Sequence, residues 1–274
     1  MKLSLAIQTP DVPFQLQVAL LAGSLDEKLR KAAALGADGV ELMCFDPATL
    51  DVESIRSKLA ENGLEAAAVA SGGLGIGKIT LLHPDPQICE VARSRLKDLI
   101  YFAASLRAPV VTIGGFRGRS NGDQRASLTR LGEILLEAAA IANSRGVRLA
   151  VEPINRYEGD LIQNAAQGLV FLDQVNHPAL GLLLDTFHMN IEEASWTEPF
   201  ARVFRAGKLF HVHLGDNNRL PPGKGLIDFQ AILQTLSSIG YQGYLSAELL
   251  ALPDADRAAD ETLMYLRTLL KKVL

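Results

Sequence analysis

Short apolar segments alternate with longer amphipathic segments along the whole chain. Eight such pairs can be counted, and 274 residues divided among eight pairs give about 34 residues per pair, the size of a βα unit. This alternation is typical of a mostly parallel sheet covered by helices. It predicts an α/β fold, a single (β/α)8 TIM barrel over residues 1–274. A doubly wound open sheet stays open as the alternative, because a count of units does not prove that the sheet closes.

The predicted strands are short apolar runs, and the predicted helices show amphipathic periodicity. The strands are 3–8, 39–43, 65–70, 110–114, 148–152, 181–185, 209–213 and 244–248. The helices lie near 25–35, 51–62, 86–106, 124–144, 164–175, 197–205, 228–238 and 256–272. Asp85 followed by Pro86 predicts a helix start, with a capping carboxylate and a proline at the first helical position. Gly63, Gly146 and Gly240 predict helix ends.

The charge balance and the cysteine count limit the expected partners and compartment. The chain has 27 basic and 31 acidic side chains, a formal net charge of −4, and neither end carries a basic block. We therefore expect no nucleic-acid partner, and the lack of a run of about 18 apolar residues predicts no membrane partner. Cys44 and Cys89 form no CxxC motif, which indicates packing residues in a reducing compartment. With no signal-peptide pattern, the expected location is cytoplasmic.

Four predicted strands in the second half of the chain each end in a residue that can bind a metal. These residues are Glu152, Asp185, His213 and Glu248, separated by 33, 28 and 35 residues. Because side chains alternate along a strand, all four would converge at the carboxyl-terminal rim of a barrel. A single acid there is more often a helix cap or a surface residue, but four in register favour one divalent metal ion. Three carboxylates and one imidazole suit Mn²⁺ first, with Mg²⁺ or Co²⁺ as alternatives.

Further polar residues follow these strand ends in predicted loops, where substrate contacts of a barrel enzyme belong. They include Glu158, His188 and Arg219. His188 could also be a solvated loop histidine. His211 precedes His213 by two positions, so we interpret it as a core histidine or as a hydrogen-bond partner behind a metal ligand. Glu41 on the second strand is either such a partner or a buried structural acid.

Two loops in the first half carry patterns with more than one interpretation. The segment GGFRGRSNG contains Arg117 and Arg119, which are either solvated or able to hold a substrate carboxylate. The segment from Gly72 to Lys78 nearly matches a phosphate-binding loop but lacks the final Ser or Thr. A flexible loop over the pocket is the preferred interpretation, since glycine allows close backbone approach.

Four segments resemble the xylose-isomerase-like superfamily of sugar isomerases and epimerases, in particular its ketose 3-epimerase branch, the D-tagatose and D-allulose (psicose) 3-epimerases. They are LAVEPINRYEGD, LLLDTFHMNIEE, HVHLGDNNRLPPGKGLIDF and LSAELL. The resemblance implies metal ligation by Glu152, Asp185, His213 and Glu248, with Glu152 and Glu248 also acting as the catalytic acid/base pair. It implies contacts to substrate oxygens from Glu158, His188 and Arg219, each at the family's spacing from its ligand. It also implies a homo-oligomer, a dimer or a tetramer.

The implied activity is a divalent-metal-dependent epimerase that inverts carbon 3, next to the ketone, of a ketose or keto-sugar acid. The resemblance implies a metal-stabilised enediolate and proton transfer by two glutamates on opposite faces of the substrate. A keto-uronate such as 5-keto-gluconate or tagaturonate, held by Arg117, is a competing substrate class. Competing activities are those of a hydroxypyruvate isomerase, a dehydratase of keto-inositol or dehydroshikimate, and a DNA-repair endonuclease. A non-catalytic sugar-binding barrel is the competing class without an activity.

Overall fold

A computed structural model describes residues 1–273 and shows a closed barrel of eight parallel strands. Each strand pairs with its sequence neighbours, and β8 pairs with β1 to close the ring. The predicted barrel is therefore confirmed over the open sheet. The strands are β1 (Lys2–Gln8), β2 (Gly39–Met43), β3 (Glu65–Ala70), β4 (Val110–Ile113), β5 (Arg148–Val151), β6 (Leu180–Asp185), β7 (Leu209–Leu214) and β8 (Tyr244–Ala247).

Helices connect the strands and cover the outside of the barrel. They are α1 (Leu25–Ala34), α2 (Val52–Glu61), α3 (Gly72–Ile76), α4 (Pro86–Leu106), α5 (Gln124–Ser144), α6 (Ala165–Val175), α7 (Thr186–Glu192), α8 (Glu198–Arg205), α9 (Phe229–Ser238) and α10 (Ala255–Val273). The short helices α3 and α7 follow β3 and β6 directly and were not predicted. Two 3₁₀ turns, Pro47–Thr49 and Gly115–Arg117, also follow strands.

The predicted helix boundaries are confirmed where a local signal marked them. Helix α4 begins at Pro86, and the Asp85 carboxylate accepts a hydrogen bond from the backbone N–H of Gln87 at 2.8 Å. Gly63, Gly146 and Gly240 follow helices with positive φ angles of 65°, 71° and 80°. Such a backbone conformation favours glycine and ends the helix.

Inside the barrel, apolar side chains give way to polar ones toward the carboxyl ends of the strands. Ala68, Val110, Ala150, Leu183 and Phe210 pack together as a small interior cluster. Two residues beyond three of its members come Thr112, Glu152 and Asp185, which face the same side because strand side chains alternate. The polar end of the interior is therefore the carboxyl-terminal rim.

Cys44 and Cys89 are buried free thiols that pack within the protein, as predicted. Among residues 1–273, no helix is both long enough and apolar enough to cross a membrane.

Candidate metal centre and active site

The structure brings the four predicted metal-binding side chains together at the rim. Glu152 and Glu248 directly follow β5 and β8, Asp185 ends β6, and His213 lies one residue before the end of β7. One potential ligand atom from each side chain lies within 4.8 Å of the others. The predicted convergence is confirmed, and the ligand roles remain a prediction.

Polar atoms in this cluster lack partners that a cation would provide. Oδ2 of Asp185 and Nδ1 of His213 are buried and have no hydrogen-bond partner. Nδ1 of His213 lies 2.6 Å from Oε2 of Glu248 and 3.9 Å from Oε1 of Glu152, without hydrogen-bond geometry. Buried polar groups seldom remain unpaired. Three carboxylates and one imidazole nitrogen that face a common centre therefore fit a divalent cation.

The charge distribution of the cluster also favours a cation. Burial and the neighbouring Glu248 carboxylate raise the pKa of Glu152 to about 8. Burial likewise raises the pKa of Asp185 to about 6. Carboxyl groups this close in a low-dielectric interior resist ionisation because their charges repel. A bound divalent ion would remove that repulsion and hold all three carboxylates in the ionised form.

A second buried group lies behind His213. The carboxylate of Glu41 on β2 is 2.9 Å from Nε2 of His211 and 3.0 Å from Nε2 of His213. Burial raises the pKa of Glu41, but the two imidazoles outweigh this effect and bring it well below its usual value. His211 is therefore a buried, hydrogen-bonded histidine, in line with its interpretation from the sequence. Of the two roles left open for Glu41, the structure shows the hydrogen-bond partner of His213.

One asparagine joins two of the side chains predicted to contact substrate, and the third is joined to one of these two. Nδ2 of Asn155 donates to Oε1 of Glu158 at 3.1 Å and lies 2.7 Å from Nδ1 of His188. Its Oδ1 accepts from two backbone N–H groups, which fixes the orientation of the amide. Nη1 of Arg219 lies 3.1 Å from Oε2 of Glu158 and completes the chain. No sequence signal beyond its place in the rim loop indicates this linking role of Asn155.

Asn155 also determines which nitrogen of His188 carries the ring hydrogen. Burial and nearby Arg219 lower the pKa of His188 well below its usual value, so the ring is neutral. Because the amide donates to Nδ1, the ring hydrogen is on Nε2. Nε2 lies 3.7 Å from Oε1 of Glu152 and can donate to a substrate oxygen beside the metal centre.

The loop after β7 is held by a buried aspartate that no sequence motif marked. Asp216 is fully buried, and its carboxylate accepts hydrogen bonds from the backbone N–H groups of residues 217, 223, 225 and 227. This loop carries Arg219, whose φ of 60° is unusual for a residue other than glycine. The guanidinium of Arg219 lies 4.7 Å from the centre of the Phe187 ring. Asp216 therefore fixes the loop that presents Arg219 to the rim.

The structure places Arg117 in contacts other than those of the predicted carboxylate clamp, which stays a prediction. Arg117 is buried, and its guanidinium donates to four backbone carbonyls, those of Gly114, Glu152, Leu161 and Ile162. These bonds occupy the fork of the guanidinium that a substrate carboxylate would need. Arg117 instead connects the loop after β4 to the loop after β5 through these hydrogen bonds. Arg119 is exposed and donates to the backbone carbonyl of Glu158 at 2.7 Å.

The expected glycine-rich loop after β3 is partly helical. Residues Gly72–Ile76 form α3, and a Cβ atom at Gly75 would lie 2.8 Å from the backbone of Gly115 and Phe116. Glycine is needed there because the two loops pack backbone against backbone. The segment does line the candidate pocket, as expected.

One open cavity of about 1130 Å³ reaches the cluster from the rim. Its walls come from the loops after most of the strands, and its floor contains groups of the candidate metal centre. The lining residues include Glu152, His188, His213, Arg219 and Glu248. A pocket of this size at the carboxyl-terminal rim is where barrel enzymes bind substrate.

The chain is similar to known proteins along most of its length. A family model described as xylose isomerase-like TIM barrel matches residues 29–269. A ketose 3-epimerase of Arthrobacter globiformis is 32% identical over 78% of this chain and 74% of its own length. A 3-dehydro-D-guloside 4-epimerase of Escherichia coli is 29% identical over 88% of this chain and 94% of its own length. A solved L-ribulose 3-epimerase superposes with a TM-score of 0.82 at 26% identity, covering 98% of this chain and 95% of that one.

Proposed function

Because this chain belongs to the xylose isomerase-like TIM barrel family, we propose that it is a divalent-metal-dependent sugar epimerase, an isomerase acting on keto-sugars. The proposed reaction inverts carbon 3, beside the ketone, of a ketose or keto-sugar acid. The observation that carries this proposal is the placement of Glu152 and Glu248 beside one candidate metal centre, directly after two strands that lie three positions apart around the barrel. The similarity to a ketose 3-epimerase supports the same reaction class.

Epimerisation beside a ketone requires removal of a proton from carbon and its return to the opposite face. In the proposed reaction, one of the two glutamates accepts this proton and the other donates one. A bound divalent cation supplies Lewis-acid polarisation of the ketone oxygen. Glu152 and Glu248 both line the cavity, so a substrate bound there can contact both carboxyl groups.

The remaining polar residues are proposed to orient the substrate. Nε2–H of His188 would donate to a substrate oxygen, and Arg219 with Glu158 would bind a neighbouring hydroxyl group. The support for these roles is their position in the cavity wall and the Asn155 bridge that holds two of them. Mn²⁺ is the proposed metal because the donor set is mostly hard oxygen with one nitrogen. A cytoplasmic homo-oligomer remains the proposed physiological form.

A second candidate is epimerisation at carbon 4 of a 3-keto-glycoside. The Escherichia coli relative is named for such a reaction. The open cavity of about 1130 Å³ has room for a glycoside of this kind. The chemistry requires the same proton transfer beside a ketone, so the two glutamates would have the same roles.

Proton NMR in D₂O tests the proposal. The protein is loaded with Mg²⁺, and separately assayed with Mn²⁺, against ketohexoses, keto-uronates, 3-keto-glycosides, hydroxypyruvate and keto-inositols. Deuterium at the carbon beside the ketone, together with a new epimer, is the expected result. Loss of water without an epimer would make the protein a lyase, and no exchange with any compound would contradict the epimerase proposal.

A further inference from the structure

Glu41 is an acid buried deep inside the barrel, outside the cavity wall. Its side chain is fully buried on β2, and neither Glu41 nor His211 lines the cavity that reaches the metal centre. A buried carboxylate loses its hydration, and this loss is costly unless donors replace the water. Contact with the substrate therefore does not explain why a carboxylate is buried at position 41.

The hydrogen bonds of the Glu41 carboxylate explain its burial. Oε2 lies 2.9 Å from Nε2 of His211, and Oε1 and Oε2 lie 3.1 and 3.0 Å from Nε2 of His213. Thr112 adds a longer contact of 3.4 Å from its hydroxyl group. The two imidazole rings are nearly perpendicular, at 81°, so each reaches the same carboxylate from a different direction.

The two nitrogens of His213 therefore face opposite environments. Nε2 points at Glu41 below, whereas Nδ1 points at Glu152 and Glu248 and has no hydrogen-bond partner. An imidazole that donates from one nitrogen offers a lone pair on the other. Carboxylates bonded to the far nitrogen of a metal-binding histidine fix its orientation and increase its basicity.

We propose that Glu41 is a positioning residue that holds Nδ1 of His213 toward the metal and thereby sets the metal affinity of the site. His211 is the second donor on Glu41 and keeps the carboxylate from turning away from His213. This inference rests on the metal site of the proposed function but on no particular substrate. Glu41 acts through His213 and touches neither the substrate nor the reacting atoms.

The same three residues could in principle bind a second metal ion, because their potential ligand atoms lie within 4.8 Å of one another. The geometry favours hydrogen bonds instead. Each Nε2–H points at a carboxylate oxygen at a normal hydrogen-bond distance. A second ion would also have to share His213 with the rim cluster. We therefore expect one metal ion per chain.

The test uses Glu41→Gln in the full-length protein, because glutamine has nearly the same shape. Its single amide oxygen can accept from one imidazole, while its NH₂ group faces the other. We expect calorimetric Mn²⁺ binding to the metal-free protein to weaken by about 10–100-fold. Thr112→Val is the matched control, since it removes only the 3.4 Å contact to Glu41 and leaves the two histidine hydrogen bonds, and its Mn²⁺ affinity should equal that of the wild type. Circular dichroism establishes that each variant is folded.

A second measurement needs no variant and covers the case in which Glu41→Gln does not fold. In the ¹⁵N-labelled wild-type protein loaded with diamagnetic Mg²⁺, NMR should show the hydrogen of His213 on Nε2 and none on Nδ1. Three results would overturn the inference: unchanged Mn²⁺ affinity in folded Glu41→Gln, a hydrogen on Nδ1, or two ions bound per chain. Failure of the wild type to bind any metal would instead refute the metal site of the proposed function.

Discussion

Nε2 of His188 lies 3.7 Å from Oε1 of Glu152, although the two residues belong to different βα units. A hydrogen bond from Asn155 to Nδ1 leaves the hydrogen of the neutral imidazole on Nε2. A substrate oxygen bound to this N–H would have its neighbouring carbon close to the Glu152 carboxyl group. His188 could thus donate a hydrogen bond to a substrate oxygen while Glu152, the proposed base, lies beside the adjacent carbon.

Replacing either proposed acid/base residue should abolish most of the epimerisation. Glu152→Gln and Glu248→Gln keep the side-chain shape but cannot transfer a proton, so we expect kcat to fall by about 10²–10⁴-fold. Turnover and Mn²⁺ binding are measured together, because both residues also face the metal centre. A variant that folds, binds Mn²⁺ and retains full activity would remove that glutamate from the mechanism.

Loss of the asparagine bridge should weaken substrate binding. Asn155→Ala leaves Nδ1 of His188 and one oxygen of Glu158 without their donor, and we expect kcat/KM to fall by about tenfold or more. Much of this effect should be an increase in KM. Asn218→Ala is the control, because Nδ2 of Asn218 donates to a backbone carbonyl in an exposed turn beside Arg219. Equal kinetics in the two variants would contradict the bridging role.

A methyl group at Gly114 should displace Glu152. A Cβ atom at this position would overlap Oε2 of Glu152, whereas a Cβ atom at the next residue, Gly115, meets nothing within 4 Å. A shift of about 1 Å in a catalytic group can cost about 100-fold in rate. We therefore expect Gly114→Ala to reduce both kcat and Mn²⁺ affinity, and Gly115→Ala to preserve Mn²⁺ affinity. The idea fails if the two alanine variants bind Mn²⁺ equally well.

Arg117 should matter for stability and not for the choice of substrate. Arg117→Met leaves buried carbonyls without a donor, and we expect the free energy of unfolding to fall by ~2–4 kcal/mol in urea titrations. The kcat/KM values for a neutral ketose and for the matching keto-acid should fall by the same factor. Arg119→Ala, an exposed change in the same loop, should leave stability nearly unchanged. If kcat/KM of Arg117→Met fell only for the keto-acid, the result would support the carboxylate clamp.

Metal binding should release protons, and the number released should fall as the pH rises. With pKa values of about 8 for Glu152 and about 6 for Asp185, the metal-free site holds protons near pH 6 that a cation must displace. Metal affinity should therefore increase with pH up to about 8. Calorimetry in buffers of different ionisation enthalpy measures this release.

The same raised pKa values determine how the metal-free protein responds to pH. Because the folded-state pKa values of Glu152 and Asp185 are raised, these two groups stabilise the metal-free protein at low pH, and their contribution to the free energy of unfolding should be lost as the pH rises from about 4 to about 8. Glu248→Gln removes the charge that helps to raise the pKa of Glu152, so it should shift the proton release to lower pH. Proton release that is independent of pH between 6 and 9 would contradict this account.

The sequence by itself determined the barrel and the positions of its four rim residues. Each βα unit marks its own boundaries through local signals, as at Asp85 and Pro86, where α4 begins at the predicted residue. Because strand side chains alternate and parallel strands end at one rim, the last inward residue of each strand follows from the strand boundaries alone. The convergence of Glu152 and Glu248 could therefore be predicted without knowledge of any tertiary contact.

Tertiary structure alone decided the roles of Arg117, Glu41 and Asn155. An arginine after a strand has the same local sequence whether it reaches solvent or bonds to carbonyls of another loop, as Arg117 does. Glu41 forms a hydrogen bond with His211, which lies 170 positions later in the chain on another strand, and no local sequence pattern predicts such a partner. Burial and hydrogen-bond partners depend on which distant segments the closed sheet brings together, and that closure exists only in the folded chain.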